Sequence, residues 1–307
     1  METIRVGVVG AGHLGSLHAK MYSNLDSVKL VGVCDCNIER SLEVGKRFKV
    51  ASYSDYEELF DKIDAASIAV PTSLHYNVAK DFLLHGIHVL IEKPITKTLS
   101  EADELVEIAE KNKLILQVGH IERFNSAVLA LEPYINKPKF IECQRLGPFH
   151  DRVKDVGVVL DLMIHDIDIV LGLIRQDVAS IEAVGLSTIS NYEDVANVRL
   201  TFQDGTIADI TASRVTKDVV RKMRIFQEES YLSLDYVTQD AMLFEKTGDK
   251  ITQKKIKVRK KNPLKKELKS FIDRVHTGKR PIVSGVEGRR ALAVALEIIK
   301  KINPTRQ

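Results

Sequence analysis

The sequence predicts two domains: an α/β domain built on a parallel sheet, then an α+β domain with an open-faced, mostly antiparallel sheet. Over the first 120 residues short apolar runs alternate with helical patterns, which is typical of βαβ units. This rhythm stops near residue 120, and the chain from Ser180 to about Lys260 reads mostly as antiparallel strands. Strands grouped together after an α/β half indicate a separate α+β domain. We therefore expect domains at 1–120 and 121–307.

The elements of the first domain follow from its apolar runs, which are nearly continuous, as expected for strands covered by helices on both faces. The predicted strands are Ile4–Gly10, Lys29–Asp35, Val50–Tyr53, Ala65–Val70, His88–Lys93 and Leu114–His120. Amphipathic patterns predict helices at Ile38–Phe48, Leu74–His85 and Ser100–Asn112. Ser100 with Asp103 three residues later is a capping-box pattern, so we expect the last helix to begin there.

The second domain mixes helices and strands. Helices are predicted at Ser126–Asn136, Leu160–Ile174, Pro263–His276 and Val286–Ile302, and a strand at Phe140–Leu146. The terminal helices are free to pack back on the first domain. Gln203-Asp204-Gly205 lies between two strand patterns, Ala196–Phe202 and Thr206–Ser213, and predicts a hairpin turn. The Lys-rich segment Lys254–Lys269 predicts a solvated edge strand, with attraction for an anionic ligand left open.

Composition excludes several classes of protein. Apolar content of 44%, charged content of 28% and a net charge of +3 describe a water-soluble protein, with no reason to expect a nucleic-acid or membrane partner. The N-terminus lacks the layout of a signal peptide, and three cysteines (Cys34, Cys36 and Cys143) are too few for a disulfide framework. We therefore expect a cytoplasmic protein. The nine histidines show no convincing metal-ligand spacing, so no metal site is predicted.

The segment Gly10-Ala11-Gly12-His13-Leu14-Gly15 matches G-x-G-x-x-G between a predicted strand and a helix. Glycines at these places make a tight turn, let the backbone approach a pyrophosphate, and let helix and strand pack closely. The helix N-terminus then favours the phosphates of a dinucleotide. Residues 1–120 are therefore predicted to form a Rossmann domain that binds a cofactor at Gly10, Gly12, His13, Leu14 and Gly15.

Asp35 ends the second strand about 20 residues after the glycine motif, where a carboxylate accepts hydrogen bonds from the adenosine ribose of NAD. It would repel the 2′-phosphate of NADP, although Arg40 lies within reach of such a phosphate. We therefore expect NAD, with NADP less favoured. The alternative for Asp35 is an ordinary turn residue at a strand end.

Lys93 follows the fifth strand in Ile91-Glu92-Lys93-Pro94. Ligands of doubly wound sheets bind beyond the carboxyl ends of the strands, so Lys93 is expected at the site. An ammonium there favours the alkoxide that forms as a hydride leaves an alcohol. The alternative is a solvated lysine at a strand end.

Taken together, these motifs resemble the glucose–fructose oxidoreductase/inositol dehydrogenase/MocA (Gfo/Idh/MocA) family. The resemblance rests on Gly10–Gly15 with His18, Asp35, Ala69–Thr72 with His75, Glu92–Pro94, Asp161 with His165, Ser213–Arg214, Thr277–Pro281, Ser284–Gly285 and Gly288. It implies an active site between the two domains, a Lys93–Pro94 bond that is often cis, and an open sheet face buried between subunits of a homodimer or homotetramer. It also adds Val70, Pro71, Thr72, His75, Glu92 and Lys93 to the expected cofactor site.

The predicted helix at 160–174 supplies the remaining catalytic candidates. Asp161, His165 and Asp168 are spaced at i, i+4 and i+7, so a regular α-helix presents all three on one face. His165 suits a general base for a hydroxyl proton, and Asp161 can orient its ring. The resemblance assigns catalytic roles to Lys93, Asp161 and His165, which we expect to converge beside the dinucleotide. Asp166 and Asp168 are interpreted as caps or surface charges.

The segment Gly119–Asn125 follows the sixth strand and lies on the same rim of the predicted sheet. His120 and Arg123 are candidate substrate contacts, Arg123 because a guanidinium binds phosphate bidentately. The alternative for Arg123 is a pair with Glu122 or a neighbouring helix. This segment resembles that of bacterial enzymes that oxidise the 3-hydroxyl of UDP-N-acetylglucosamine or its uronate.

We therefore expect an enzyme that oxidises a secondary hydroxyl of a sugar with NAD, the 3-hydroxyl of a UDP-N-acetylhexosamine being the specific candidate. An inositol or free-sugar dehydrogenase is the second candidate. A non-catalytic NAD(P)-binding regulatory protein is the third.

Overall fold

The computed structural model describes residues 2–149 and 156–303 of the chain. They divide into two compact units. Unit 1 is the chain up to Ile121 together with Asn262–Arg289, and unit 2 is Glu122–Lys261 together with the chain from Arg290. Residues 262–289 thus lie in unit 1, whereas the predicted second domain ran unbroken over 121–307. No helix of the described residues is long and apolar enough to cross a membrane.

Unit 1 contains a six-stranded parallel sheet in the order β3-β2-β1-β4-β5-β6. The strands are β1 (Ile4–Val9), β2 (Val28–Cys34), β3 (Ala51–Tyr53), β4 (Ala65–Ile68), β5 (His88–Glu92) and β6 (Leu116–Gly119). The strand order reverses between β1 and β4, which makes this the switch point where doubly wound sheets bind ligands. The predicted Rossmann architecture is confirmed.

The helices of unit 1 are α1 (His13–Tyr22), α2 (Ile38–Phe48), α3 (Thr72–Leu84), α4 (Leu99–Lys111) and α7 (Pro263–Thr277). Helix α7 packs against α1, and its Leu268, Phe271 and Ile272 join the core around Val6 and Val8 of β1. The predicted start of α4 is wrong, because the capping box is formed by Thr98 and Glu101. Their side chains accept from each other's backbone N–H groups, which leaves Ser100 inside the helix.

Unit 2 contains an eight-stranded sheet in the order β14-β13-β12-β11-β7-β10-β9-β8, antiparallel except for the β7–β10 pair. The strands are β7 (Phe140–Leu146), β8 (Val178–Leu186), β9 (Val195–Phe202), β10 (Ile207–Ser213), β11 (Val220–Phe226), β12 (Ser230–Asp235), β13 (Asp240–Thr247) and β14 (Lys250–Lys255). The exposed edge strand ends at Lys255, and α7 begins at Pro263. The prediction of an edge strand over Lys254–Lys269 is therefore wrong beyond its first two residues.

One face of this sheet carries the core of unit 2, which also contains residues of α5 (Ser126–Leu131), α6 (Ile164–Ile174) and the second half of α8 (Gly285–Ile302). Helix α5 is shorter than predicted, because a 3₁₀ turn at Glu132–Tyr134, with Pro133 in its first turn, replaces its last residues. Proline lacks an N–H group and cannot continue the α-helical hydrogen bonds. The predicted α+β domain with a mostly antiparallel sheet is confirmed.

Candidate functional site

The glycine motif forms the turn between β1 and α1. Gly10 has φ +95°, and a Cβ atom there would lie 2.5 Å from the carbonyl oxygen of Ala69. A Cβ at Gly15 would overlap the carbonyl oxygen of Gly10, so this glycine permits the close packing of helix and strand. Nothing in the described residues lies within 4 Å of a Cβ built on Gly12. The backbone at Gly12 is thus open to close approach, as a pyrophosphate requires.

The N-terminus of α1 completes this cradle. Gly12 is its N-cap residue, and among the described residues no side chain caps the first turn. The first backbone N–H groups of a helix are ready donors to an anion, and the helix dipole adds a partial positive charge. His13 and Leu14 are both exposed at this end of the helix. The residues present therefore fit the dinucleotide that the sequence predicts.

Asp35 lies directly after β2 and is 9% exposed. Its carboxylate accepts hydrogen bonds from the backbone N–H of Ala11, at 2.8 Å, and of Asn37, at 2.9 Å. It therefore ties the glycine turn to the start of α2, a role that sequence analysis missed. An ionised carboxylate offers about four acceptor positions, so these two bonds leave capacity for ribose hydroxyls. Arg40 is exposed in the first turn of α2.

The turns after β4 and β5 hold the other residues expected near the cofactor. Val70 and Thr72 are partly buried, Pro71 is exposed as the N-cap of α3, and Lys93 is partly buried after β5. The Lys93–Pro94 bond is cis, as the family resemblance implies. Residues at the carboxyl ends of β1, β2, β4 and β5 thus share the edge of the sheet at which doubly wound folds bind ligands.

Two buried histidines lie among these turns. His18 contacts Ser67 through Nδ1 at 2.7 Å and Glu92 through Nε2 at 3.1 Å. The ring nitrogens of His75 face the carbonyl oxygens of Pro94, at 2.8 Å, and Val70, at 3.0 Å. The sequence predicted that His75 contacts the cofactor. His75 is 1% exposed, and its ring nitrogens contact backbone carbonyl oxygens instead.

In unit 2, Asp161 and His165 lie where a π-helical turn, Val159–Met163, passes into α6. Both side chains are partly exposed, whereas Asp166 and Asp168 are buried. The prediction of a regular α-helix over Leu160–Ile174 is wrong at its start, because the π-helical turn replaces the α-helix up to Met163. A π-turn uses i→i+5 bonds and is frequent at functional sites. Of the three residues predicted to share one helix face, Asp161 and His165 are partly exposed and Asp168 is buried.

Asp166 belongs to a buried ion-pair network instead of being a cap or a surface charge. The guanidinium of Arg145, on β7, binds both carboxylate oxygens of Asp166 at 2.7 and 2.9 Å and contacts Glu122 at 3.0 Å. It also lies over the ring of Tyr236, 5.0 Å from the centroid. Burial disfavours the charged form of Arg145, but the neighbouring carboxylates outweigh it and raise the pKa of Arg145. This network fixes α6 to the sheet beside His165.

Arg123 contacts the same helix at another point. Its Nε lies 3.5 Å from Asp168, and a Cβ on Gly172 would overlap its guanidinium. These contacts match the alternative interpretation of Arg123, a pair with a neighbouring helix. The interpretation of Asp168 as a surface charge is wrong, because its side chain is buried. His120, the other substrate candidate of this segment, is 1% exposed after β6.

Two neighbouring buried acids, Glu193 and Asp194, hold the start of the π-helical turn and the loop at 188–190. The carboxylate of Glu193 accepts from the backbone N–H of Val159 at 3.3 Å, and Gly157 leaves room for it. Asp194 accepts three backbone N–H bonds from residues 188–190 and pairs with the buried Arg214 at 2.8 Å. Arg214 also donates to the carbonyl oxygen of Val156 at 2.7 Å. Sequence analysis named Arg214 but missed its acidic partner, Asp194.

Family comparison agrees with this geometry. Residues 4–120 match the model of an oxidoreductase family with an NAD-binding Rossmann fold, and residues 119–233 match the Gfo/Idh/MocA C-terminal domain. The chain belongs to the Gfo/Idh/MocA family, and it is an NAD-dependent oxidoreductase. The family, the enzyme class and the cofactor predicted from the sequence are confirmed.

Individual relatives resemble the chain from end to end. UDP-N-acetylglucosamine 3-dehydrogenase of Acidithiobacillus ferrooxidans is 34% identical over an alignment of 305 residues, which covers 97% of this chain and 97% of its own. A solved structure of that enzyme superimposes with a TM-score of 0.95 and covers 100% of both chains. Myo-inositol 2-dehydrogenase of Thermotoga maritima is 26% identical over 99% of this chain and 97% of its own.

Proposed function

We propose that the enzyme oxidises the 3-hydroxyl of UDP-N-acetylglucosamine or a closely related UDP-N-acetylhexosamine. The observation that carries this proposal is the end-to-end similarity to UDP-N-acetylglucosamine 3-dehydrogenase, with 34% identity and a TM-score of 0.95. Similarity to an inositol dehydrogenase is lower, at 26% identity. This difference in identity favours a nucleotide-linked sugar over a free polyol as the substrate.

The reaction assigned to the site is the oxidation of a secondary alcohol to a ketone. Bound NAD⁺ supplies the acceptor for the hydride that leaves the carbinol carbon. His165 accepts the hydroxyl proton, since an imidazole titrates near neutral pH and suits a general base. Lys93 donates a hydrogen bond to the oxygen as its negative charge develops. Asp161, four residues before His165, orients the imidazole. The products are the 3-keto sugar, NADH and one proton.

A screen for NADH release tests the substrate. The purified enzyme with NAD⁺ is offered UDP-N-acetylglucosamine, the corresponding uronate, glucose or myo-inositol, and kcat/KM is compared. We expect the UDP-sugars to exceed the free sugars by at least about 100-fold. Comparable turnover of myo-inositol would favour an inositol dehydrogenase. Bound NAD⁺ without turnover on any of the four would favour a regulatory protein.

We also propose a homodimer or homotetramer, in which a second copy covers the non-core face of the sheet in unit 2. Four aromatic rings stack across neighbouring strands on this face, with centroid separations of 5.5, 4.9 and 4.9 Å: Phe140, Phe226, Tyr231 and Phe244. Each ring is partly exposed, while the next residue inward on its strand belongs to the core. Contiguous apolar surface of this kind commonly marks an interface. Sedimentation analysis of the unchanged protein and of Tyr231→Lys tests this proposal. We expect the unchanged protein to be an oligomer and the variant to be a smaller species. A monomer in both would contradict the proposal.

A further inference from the structure

Lys93 lies between two residues that are each held by a buried histidine. Glu92, before it, contacts His18, and Pro94, after it, is contacted through its carbonyl oxygen by His75. His18 is fully buried and His75 is 1% exposed. The two histidines come from α1 and α3, so the turn after β5 is held from two different helices.

The contact to Glu92 is part of a chain of buried polar groups. His18 Nδ1 lies 2.7 Å from Ser67 Oγ on β4, and both side chains are fully buried. A Cβ on Gly119 would lie 3.0 Å from the carboxyl group of Glu92, so this glycine provides the space that the carboxylate occupies. The Glu92 side chain, 12% exposed, is therefore confined on several sides.

The charge of Glu92 is set within the same cluster. Burial alone raises the pKa of Glu92, but the contact with His18 and the charge of Lys93 outweigh it, and the net pKa is lowered. The lowered pKa favours the ionised carboxylate of Glu92, directly before Lys93 in the chain.

His75 connects this turn to the neighbouring one. Its ring spans the carbonyl oxygens of Val70, after β4, and Pro94, after β5. Both turns lie at the carboxyl edge of the parallel sheet, where the two strands are neighbours. A neutral imidazole donates through one nitrogen only. Removal of the ring would therefore take away one hydrogen bond to a turn carbonyl and the packing contact with the other, and with them the link between the two turns.

We propose that His18 and His75 are positioning residues, which hold Lys93 at one place at the end of β5 and act on the reaction only through it. The inference rests on the proposed role of Lys93 as the group that stabilises the developing oxyanion. A displacement of about 1 Å at a catalytic group can cost about 100-fold in rate, so small changes in this turn matter. Neither histidine needs to touch NAD or the sugar.

The test compares His75→Leu and His18→Leu with His88→Leu. His88 is a matched control, because it lies on β5 too, at the opposite end, and its ring accepts a hydrogen bond from the backbone of Ile115 at 2.9 Å. For His75→Leu and His18→Leu we expect kcat to fall about 10- to 100-fold, with the Kd of NAD⁺ changed by less than about threefold. We expect His88→Leu to keep kcat. Amide hydrogen exchange of the ligand-free proteins should become faster at residues 92–97 only in the first two variants.

A double-mutant cycle with Lys93→Ala separates positioning from a general structural role. If the histidines act through Lys93, His75→Leu lowers kcat of the Lys93→Ala enzyme by less than about twofold. An unchanged, full loss in that background would overturn the inference and leave the role of Lys93 intact. Full activity of Lys93→Ala would overturn the role of Lys93 and the inference with it. Should a leucine variant not fold, His75→Gln and His18→Gln serve in the same cycle.

Discussion

Arg145 and Asp166 form a two-bond ion pair in the interior of unit 2, with N···O distances of 2.7 and 2.9 Å and side chains only 3% and 1% exposed. Asp166 directly follows His165, so the pair fixes the backbone of the candidate general base. Truncation of one partner leaves the other charge buried without compensation.

We therefore predict that Arg145→Met lowers the free energy of unfolding by about 3–5 kcal/mol. Urea unfolding followed by circular dichroism measures it. Arg289→Met is the matched control, since Arg289 makes a two-bond pair with Asp103 at 2.8 and 3.1 Å and both side chains are exposed. That variant should keep its unfolding midpoint. Equal losses of unfolding free energy in both variants would show that burial of the Arg145 pair does not add to its contribution to stability.

The two glycines at the start of α1 should respond differently to alanine. Gly12→Ala adds a methyl group into open space, so stability should fall by less than about 1 kcal/mol, while NAD⁺ binding weakens about tenfold or more. Gly15→Ala should lower stability by about 1–3 kcal/mol, because its methyl group overlaps the Gly10 carbonyl. Calorimetric titration with NAD⁺ and thermal unfolding measure both. Unimpaired NAD⁺ binding in Gly12→Ala would place the pyrophosphate elsewhere.

Lys93→Ala should lower kcat by about 100- to 1000-fold, because it removes a donor to the developing oxyanion. The Kd of NAD⁺ should change by less than about threefold, since the proposed interaction forms in the transition state. Steady-state kinetics and calorimetric titration separate the two quantities. A variant that loses NAD⁺ binding and retains kcat at saturation would show that Lys93 is a cofactor contact only.

The cysteines should differ sharply in reactivity. Burial raises the pKa of Cys34 to about 12 and raises the pKa of Cys143 as well, so neither forms the reactive thiolate near neutral pH. Cys36 is exposed. Brief treatment of the folded protein with iodoacetamide should modify Cys36 alone, as read by peptide mass spectrometry. Cys36→Ser should then take up no label, and rapid labelling of Cys34 in that variant would contradict the buried position of its thiol.

Asp194 should contribute to acid sensitivity. Burial alone raises the pKa of Asp194, but three backbone N–H bonds and Arg214 outweigh it and lower the pKa below that of the unfolded chain. The unfolded state therefore binds more protons, so this contribution is complete above pH ~4 and is lost as pH falls below it. Asp194→Asn should flatten the dependence of stability on pH below pH ~4, relative to the unchanged protein. An identical slope in both proteins would show that Asp194 titrates normally.

Much of the fold could be predicted because its signals are local. The apolar runs and turn residues located every strand of the first sheet to within two residues, and α2 was predicted at its observed limits, Ile38–Phe48. The errors arose where local signals compete. Thr98 and Ser100 both suit an N-cap, and only the chain path showed that Thr98 and Glu101 form the capping box. A π-turn leaves the apolar pattern of a helix largely unchanged, so Val159–Met163 was predicted as α-helix.

The buried ion pairs were missed for a different reason, although one signal was available. Arg145 is in phase with the core residues Ile141 and Cys143 along β7, so strand alternation alone places a guanidinium in the core. Its partners, Glu122 and Asp166, lie more than 20 residues away in sequence, and no spacing rule links them. Asp194 and Arg214 lie 20 residues apart, and no spacing rule links them either.

The sequence by itself determined the nucleotide-binding half, the cofactor and the family, because a glycine turn, a strand-end carboxylate and Glu92-Lys93-Pro94 are contiguous motifs whose chemistry depends on neighbours along the chain. Tertiary structure alone decided which charged residues are available to a ligand. Arg123, Asp166 and Asp168 are engaged in buried or partly buried pairs, and His75 is held between two backbone carbonyls. Charge and burial are set by groups distant in sequence, so residue type and spacing cannot distinguish a charge that binds substrate from one that holds the fold together.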